Sequence, residues 1–252
     1  MDSVIYRKQG PVAWITINRP EVMNACDPST TDYIYECEQD FDKDPDLKVL
    51  VLTGAGERAF CTGMDLKVAA ARIAAGGPVS NVVPPYMKTD KVTIAAVNGY
   101  AVAGGLDRAM ACDIRIASEN AQFGCFEIRR GIPNPPEPLI RLIGLGPALH
   151  MLLSGDLIDA QEAVRIGLVT KVVPADELIP TVEALASRMG EYPTEVLVAT
   201  KKAAFAGLGM TPEQSQLYSR ALSASLRDSK TSREGVTAFA ERRKPNYGES
   251  TG

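Results

Sequence analysis

Four short runs rich in β-branched residues, VAWITIN (12–18), KVLVLTG (48–54), KVTIAAVN (91–98) and DIRIAS (113–118), recur through the first half of the chain, bounded by glycine, proline or asparagine. Helix-prone stretches separate them. DPSTTDYIYECEQDFDK opens on Asp27 as a cap with Pro28 at the first helical position, and MDLKVAAARIAA follows the second run. This alternation predicts an α/β fold, because parallel strands need long crossover connections that helices supply.

Beyond about residue 138 the pattern turns helical. Asp159 with Glu162, Thr211 with Gln214 and Thr231 with Glu234 have capping-box spacing, in which a side chain and the backbone satisfy each other's donors. Only LVTKVVP (168–174) still reads as a strand, so the last third is expected to be a helical layer lying on the core, on a sister subunit, or both. GGPVSNVVPPY (76–86) is the strongest loop signal inside the core.

Composition removes several function classes. A net charge of -4 without clustered basic residues argues against nucleic acid, and no apolar run reaches the ~18 residues of a membrane span. The five cysteines, an odd number with no C-x-x-C pair, together with the lack of an N-terminal apolar leader, point to a reducing cytoplasm and to inert buried thiols. The single histidine, His150 in GPALHMLLSG, leaves no material for histidine-based triads or for common metal sites, and is expected to pack in a helix.

Two glycine-bearing segments need explanation. KVLVLTGAGERA matches the dinucleotide fingerprint at Gly54, Gly56 and Ala59, but no helix is expected to begin there and no acid closes a following strand, so no nucleotide cofactor is expected. AFCTGMDLK (59–67) and GYAVAGGLD (99–107) each place a glycine turn between an apolar strand and a helix start. One reading is a pair of tight turns and nothing more. The other is an oxyanion hole: two helix-start N–H groups converging on one oxygen, with Gly104 and Gly105 permitting close approach and Asp107 facing the same cavity.

The chain resembles the enoyl-CoA hydratase/isomerase (crotonase) family over nearly its whole length. The resemblance is carried jointly by INRPEVMNA, LTGAGERAFCTGMDLK, KVTIAAVNGYAVAGGLDRAMACDIRIASENAQFGCFEIRRGI, GLGPALHMLLSGDLIDAQEAVRIGLVTKVVP and REGVTAFAERRKPNY. It implies an α/β spiral of repeated ββα units over residues 1–190 and a C-terminal helical region, 191–252, that builds homotrimers or hexamers. It also implies an acyl-CoA thioester substrate, with coenzyme A arriving as part of that substrate rather than as a cofactor, and no metal. The oxyanion donors fall on the N–H groups of Met64 and Gly104, and the two hydratase acids on Asp107 and Glu127. Coenzyme A contacts fall on Arg19, Ala25, Met64, Asp65, Leu66 and Lys67, with Phe239 and Arg242 reaching a neighbouring subunit's ligand.

Two departures bear on specificity. Asp107 stands where hydratases of the family usually carry glutamate, an arrangement also similar to dienoyl-CoA isomerases, whose third acid falls near Pro135; Glu137, two residues on, reads as a surface acid. GIPNPPEPLIRL replaces a glycine-rich loop, so the acyl pocket around 132–138 is expected to be stiffer. Hydration of a 2-enoyl-CoA is the favoured activity. Double-bond isomerisation comes next, and a catalytically silent binding role last.

Overall fold

The computed structural model describes residues 2–78 and 89–247. The first strands, β1 (Val4–Gln9) and β2 (Val12–Ile17), form an antiparallel hairpin; β3 (Val49–Gly54), β5 (Val92–Val97), β7 (Ile114–Ser118) and β10 (Lys171–Val173) then add in parallel, in the order β1-β2-β3-β5-β7-β10. A second sheet holds β4 (Ala59–Cys61), β6 (Tyr100–Val102), β8 (Gln122–Gly124) and β9 (Ile158–Asp159), the first three parallel. The chain is therefore a spiral. Each turn gives one strand to the large sheet and the next to the small one before a helix: β3, β4 and α2 (Leu66–Ala74), then β5, β6 and α3 (Gly104–Ala111).

Side-chain alternation divides the large sheet's two faces. Ala13, Ile15, Ile17, Leu50, Leu52 and Ala95 point into the main core, shared with α1 (Pro28–Lys43) through Ile34, Cys37 and Phe41. Their neighbours Val12, Trp14, Val49, Val51, Ile94 and Ala96 face the other way, onto Leu178, Val182 and Ala186 of a later helix. With both faces covered, strands β3 and β5 are buried throughout and apolar but for Thr53 and Thr93.

The remaining helices are α4 (Glu137–Ile143), α5 (Leu145–Ser154), α6 (Ala160–Arg165), α7 (Leu178–Gly190), α8 (Thr194–Gly207), α9 (Pro212–Leu226) and α10 (Lys230–Ala240). The expected starts at Asp159 and Thr211 are present: Asp159 accepts from the Glu162 N–H at 2.8 Å, and Thr211 and Gln214 form a full capping box. The Thr231–Glu234 start is not. Ser229 caps α10 instead, and Thr231, inside the helix, donates its hydroxyl to Glu195. Most of the 76–86 segment lies outside the described residues.

The segment resembling a dinucleotide fingerprint runs from β3 into β4 without a helix. Asn98 fills this turn, accepting from the Gly54 N–H and donating to the carbonyls of Gly54 and Gly56. His150 is two-thirds exposed on α5, 3.4 Å from Asp156, and so is not the packed residue its apolar neighbours suggested.

Candidate active site

The site lies where β4, β6 and β8 end, at the carboxyl edge of the small sheet. Past β4, Cys26 donates its N–H to the Gly63 carbonyl at 2.8 Å and its carbonyl accepts from the Asp65 N–H at 2.9 Å. In this parallel bridge the bonded groups flank Met64, so the N–H of Met64 points away from the Cys26 strand. Gly63 has φ +84°, and a Cβ there would sit 2.9 Å from the Gly104 nitrogen. The two glycine turns abut.

The second turn is under more strain. Ala103, which precedes α3, holds φ 51° and ψ −134° without a side-chain cap, a conformation that costs a non-glycine residue on the order of 1–3 kcal/mol. A Cβ on Gly105 would lie 1.9 Å from the Cys61 carbonyl oxygen, so only glycine lets the start of α3 press onto the end of β4. Met64, Gly104, Asp107 and Glu127 all line one cavity of about 520 Å³.

The two acids reach it differently. Asp107 stands in the first turn of α3, and Glu127 begins a 3₁₀ turn (Ile128–Arg130) just after β8. Burial pushes the Glu127 carboxyl above its ordinary range, against hydrogen bonding from its own backbone N–H and the Asn134 side chain and the nearby charge of Arg130. Its Oε2 is buried without a hydrogen-bond partner. A buried oxygen left unpaired costs about 1–3 kcal/mol, and a protein that keeps one on a cavity wall has a place for a ligand or water there.

Of the residues implied for coenzyme A, Met64, Asp65 and Leu66 line the cavity. Lys67 is exposed on α2, and Ala25 is buried with its carbonyl accepting from Arg19 at 2.6 Å. Arg19 also lies 3.1 Å from Asp65 and 3.3 Å from Asp27. Those carboxylates cap α2 and α1, so this arginine ties two helix starts together at the cavity wall. Phe239 and Arg242, at the end of α10, do not line the cavity of this chain, and Phe239 is 87% exposed. Glu137 is an exposed residue heading α4.

Sequence reasoning missed part of the wall: Thr31 and Asp32 of α1, Arg72 of α2, and Arg130 with Ile132 beyond Glu127. The signal for Arg130 was present, since it lies three residues after the second acid in FEIRRG. Among the described residues no group of three or more histidine, cysteine or acidic side chains could hold a metal, and no helix is long and apolar enough to cross a membrane.

The family profile described as Enoyl-CoA hydratase/isomerase matches residues 7–250. The chain belongs to the enoyl-CoA hydratase/isomerase family. It is 43% identical over 248 residues to the (E)-benzylidenesuccinyl-CoA hydratase of Thauera aromatica, covering 94% of this chain and 95% of that protein. It is 34% identical to the crotonyl-CoA hydratase of Syntrophomonas wolfei, covering 98% of each. The crystal structure of enoyl-CoA hydratase from Bacillus anthracis superimposes with a TM-score of 0.87 at 28% identity, covering 98% of this chain and 99% of that one. Crotonase-fold membership thus agrees with the ββα spiral described above.

Proposed function

We propose that this family member adds water across the C2=C3 bond of a 2-enoyl-CoA thioester. The observation that carries the reading is the buried, unpartnered Oε2 of Glu127 on the same cavity as Asp107 and the two abutting glycine turns. The thioester oxygen is placed between the amides of Met64 and Gly104, which take up the negative charge that builds as the enolate forms. Such donors contribute about 3–4 kcal/mol each in a dry site.

Glu127 is the principal acid/base and Asp107 its partner in orienting the water. The water oxygen adds to C3, a carboxylate accepts its proton, and C2 receives a proton from a carboxyl group. Coenzyme A enters with the acyl group, and no separate cofactor or metal is invoked. Residues 64–67 border its adenine and Ala25 meets the coenzyme A beside them; Arg19 acts by holding Asp65 and Asp27 rather than by meeting phosphate, because its guanidinium is already engaged. The helices of 191–252 assemble a trimer or a pair of trimers around the 1–190 core, in the cytoplasm, bringing Phe239 and Arg242 to a neighbour's ligand.

The finer assignment concerns the acyl group. Past the two acids the wall includes Ile132 and Arg130, an apolar side chain beside a cation whose Nη1 also donates to the Phe126 carbonyl at 3.1 Å. The Thauera aromatica relative is named for an acyl group that joins an aryl ring to a second carboxylate. We assign this chain an enoyl-CoA of that kind, its free carboxylate paired with Arg130.

Loss of the conjugated enoyl absorbance on incubation with crotonyl-CoA tests the reaction class. Hydration that disappears in Glu127→Gln with the fold intact supports the reading. Untouched crotonyl-CoA alongside isomerised 3-enoyl- or dienoyl-CoA overturns it in favour of isomerisation, the chemistry that the shorter Asp107 also permits. Binding without turnover of any acyl-CoA overturns both.

A further inference from the structure

The cavity wall carries two thiols that the hydration chemistry does not use. Cys26 and Cys61 lie with their sulfurs 3.9 Å apart, both lining the cavity and both buried. Cys61 ends β4, two residues before Gly63, whose N–H donates to the Cys61 sulfur at 3.4 Å. Cys26 supplies the backbone bridge to Gly63 and Asp65. The pair therefore sits under the turn that presents the Met64 amide.

We propose that Cys26 and Cys61 are a peroxide-sensitive dithiol, and that their disulfide reversibly switches off the site by displacing the 62–64 turn. The regulatory half of this proposal rests on the hydratase reading; the covalent half does not.

The chemistry balances. The Cys61 thiolate attacks one oxygen of hydrogen peroxide, breaking the O–O bond and releasing hydroxide, which takes up a proton to leave as water. The Cys26 sulfur then attacks the resulting sulfenic sulfur, and the departing hydroxide leaves with the Cys26 proton as a second water. Two thiols and one peroxide give one disulfide and two waters, with two electrons passing from sulfur to oxygen. A dithiol reverses the step.

Geometry and charge favour this pair over the other cysteines. The sulfur–sulfur contact, in which either thiol can donate, splits the pair. It holds the Cys61 thiol below its ordinary value, aided by the Arg108 charge and the Gly63 N–H against the cost of burial, while it and burial push Cys26, also within reach of the Asn24 carbonyl, well above its own. Burial instead pushes Cys37 up to about 11, and Cys112 and Cys125 up to about 12. A disulfide needs its sulfurs about 2.05 Å apart, so closing the 3.9 Å gap moves them together by roughly 2 Å. That motion takes the Cys61 sulfur from the Gly63 N–H and disturbs a residue packed directly against Gly104. A displacement of about 1 Å at a reacting group is enough for roughly 100-fold in rate.

The test is to treat the reduced full-length protein with one equivalent of hydrogen peroxide near neutral pH, block free thiols, and map peptides by mass spectrometry. The expected product is a Cys26–Cys61 crosslink, formed also in Cys125→Ser and absent in Cys26→Ser. Crotonyl-CoA hydration by the oxidised protein should fall at least about tenfold and return with dithiothreitol. A crosslink to any other cysteine, sulfinic acid at Cys61 without a crosslink, or a Cys26–Cys61 disulfide that leaves both turnover and acetyl-CoA affinity unchanged overturns the proposal. If the reduced protein does not hydrate crotonyl-CoA, the hydratase reading fails on its own, while the crosslink and its effect on acetyl-CoA affinity still decide this one.

Discussion

Glu127 and Glu38 show what burial does to a carboxyl group in two settings. Glu127 faces the cavity with an unpartnered oxygen and a carboxyl held above its ordinary range. If its ionised form takes the water's proton, kcat/KM falls as pH drops through that raised pKa, and Glu127→Gln both abolishes the acid-side inflection and lowers the rate by about 10²–10⁴. A pH–rate profile on crotonyl-CoA with both proteins checks this. Glu38, buried on α1, is pushed up to about 7 by desolvation, against the charge of Arg108. Its folded pKa exceeds its unfolded one, so the fold is favoured by the protonated form; stability is lost as pH rises from about 4.5 to 7 and then levels off. The full difference is about 3 kcal/mol. Denaturant melts of Glu38→Gln across this window should show a flatter pH slope than the parent; parallel slopes would contradict the assignment. Arg130 makes the third prediction at this scale. Arg130→Ala should lower kcat/KM for a carboxylate-bearing aryl enoyl-CoA by about 10–100-fold, as losing a charged hydrogen-bond partner implies, while changing crotonyl-CoA hydration little. Equal losses on both substrates would assign Arg130 to Glu127 rather than to the acyl group.

The glycine turns act as joints between elements, and their tolerances are small. Gly105→Ala would drive a methyl group into the Cys61 carbonyl, forcing α3 off β4, with an expected loss of about 1–3 kcal/mol in denaturant midpoint analysis. A neutral result would show that the α3–β4 contact is softer than the geometry states. At this scale much was legible in advance. The strand-turn-helix units at 59–67 and 99–107 stand where the sequence placed them, because glycine, small residues and an Asp65 cap leave the chain few alternatives. Strand β1 was not legible: its outward residues Arg7, Lys8 and Gln9 break the apolar pattern, and only pairing with β2 makes it a strand. Strand β8, three residues long, is too short for a period to show. The start of α10 was misplaced because Ser229 and Thr231 both suit a cap, and the hydroxyl of Thr231 is drawn instead to Glu195, far away in sequence.

For the whole molecule, the unresolved balance is at the surface of the last three helices. The core accounts for both faces of the large sheet, yet α8, α9 and α10 leave Phe205, Leu208, Leu217, Val236 and Phe239 largely in solvent. One isolated apolar side chain needs no explanation, but five on one helical region are the kind of surface that a subunit contact would cover. The proposed trimer supplies it, and the expected mass by light scattering is three times 27.0 kDa, or six times if trimers pair. In that proposed assembly Phe239, absent from its own chain's cavity, would make across a subunit boundary the coenzyme A contact that the resemblance implied. Phe239→Ala should therefore keep the trimer mass while raising KM for acyl-CoA about 10–100-fold, on the scale of one lost aromatic burial of roughly 1.5–3 kcal/mol, and should leave kcat within about twofold. Monomeric parent protein with undiminished activity would remove both the assembly and the role of Phe239, whereas a trimer with unchanged KM would remove only the second.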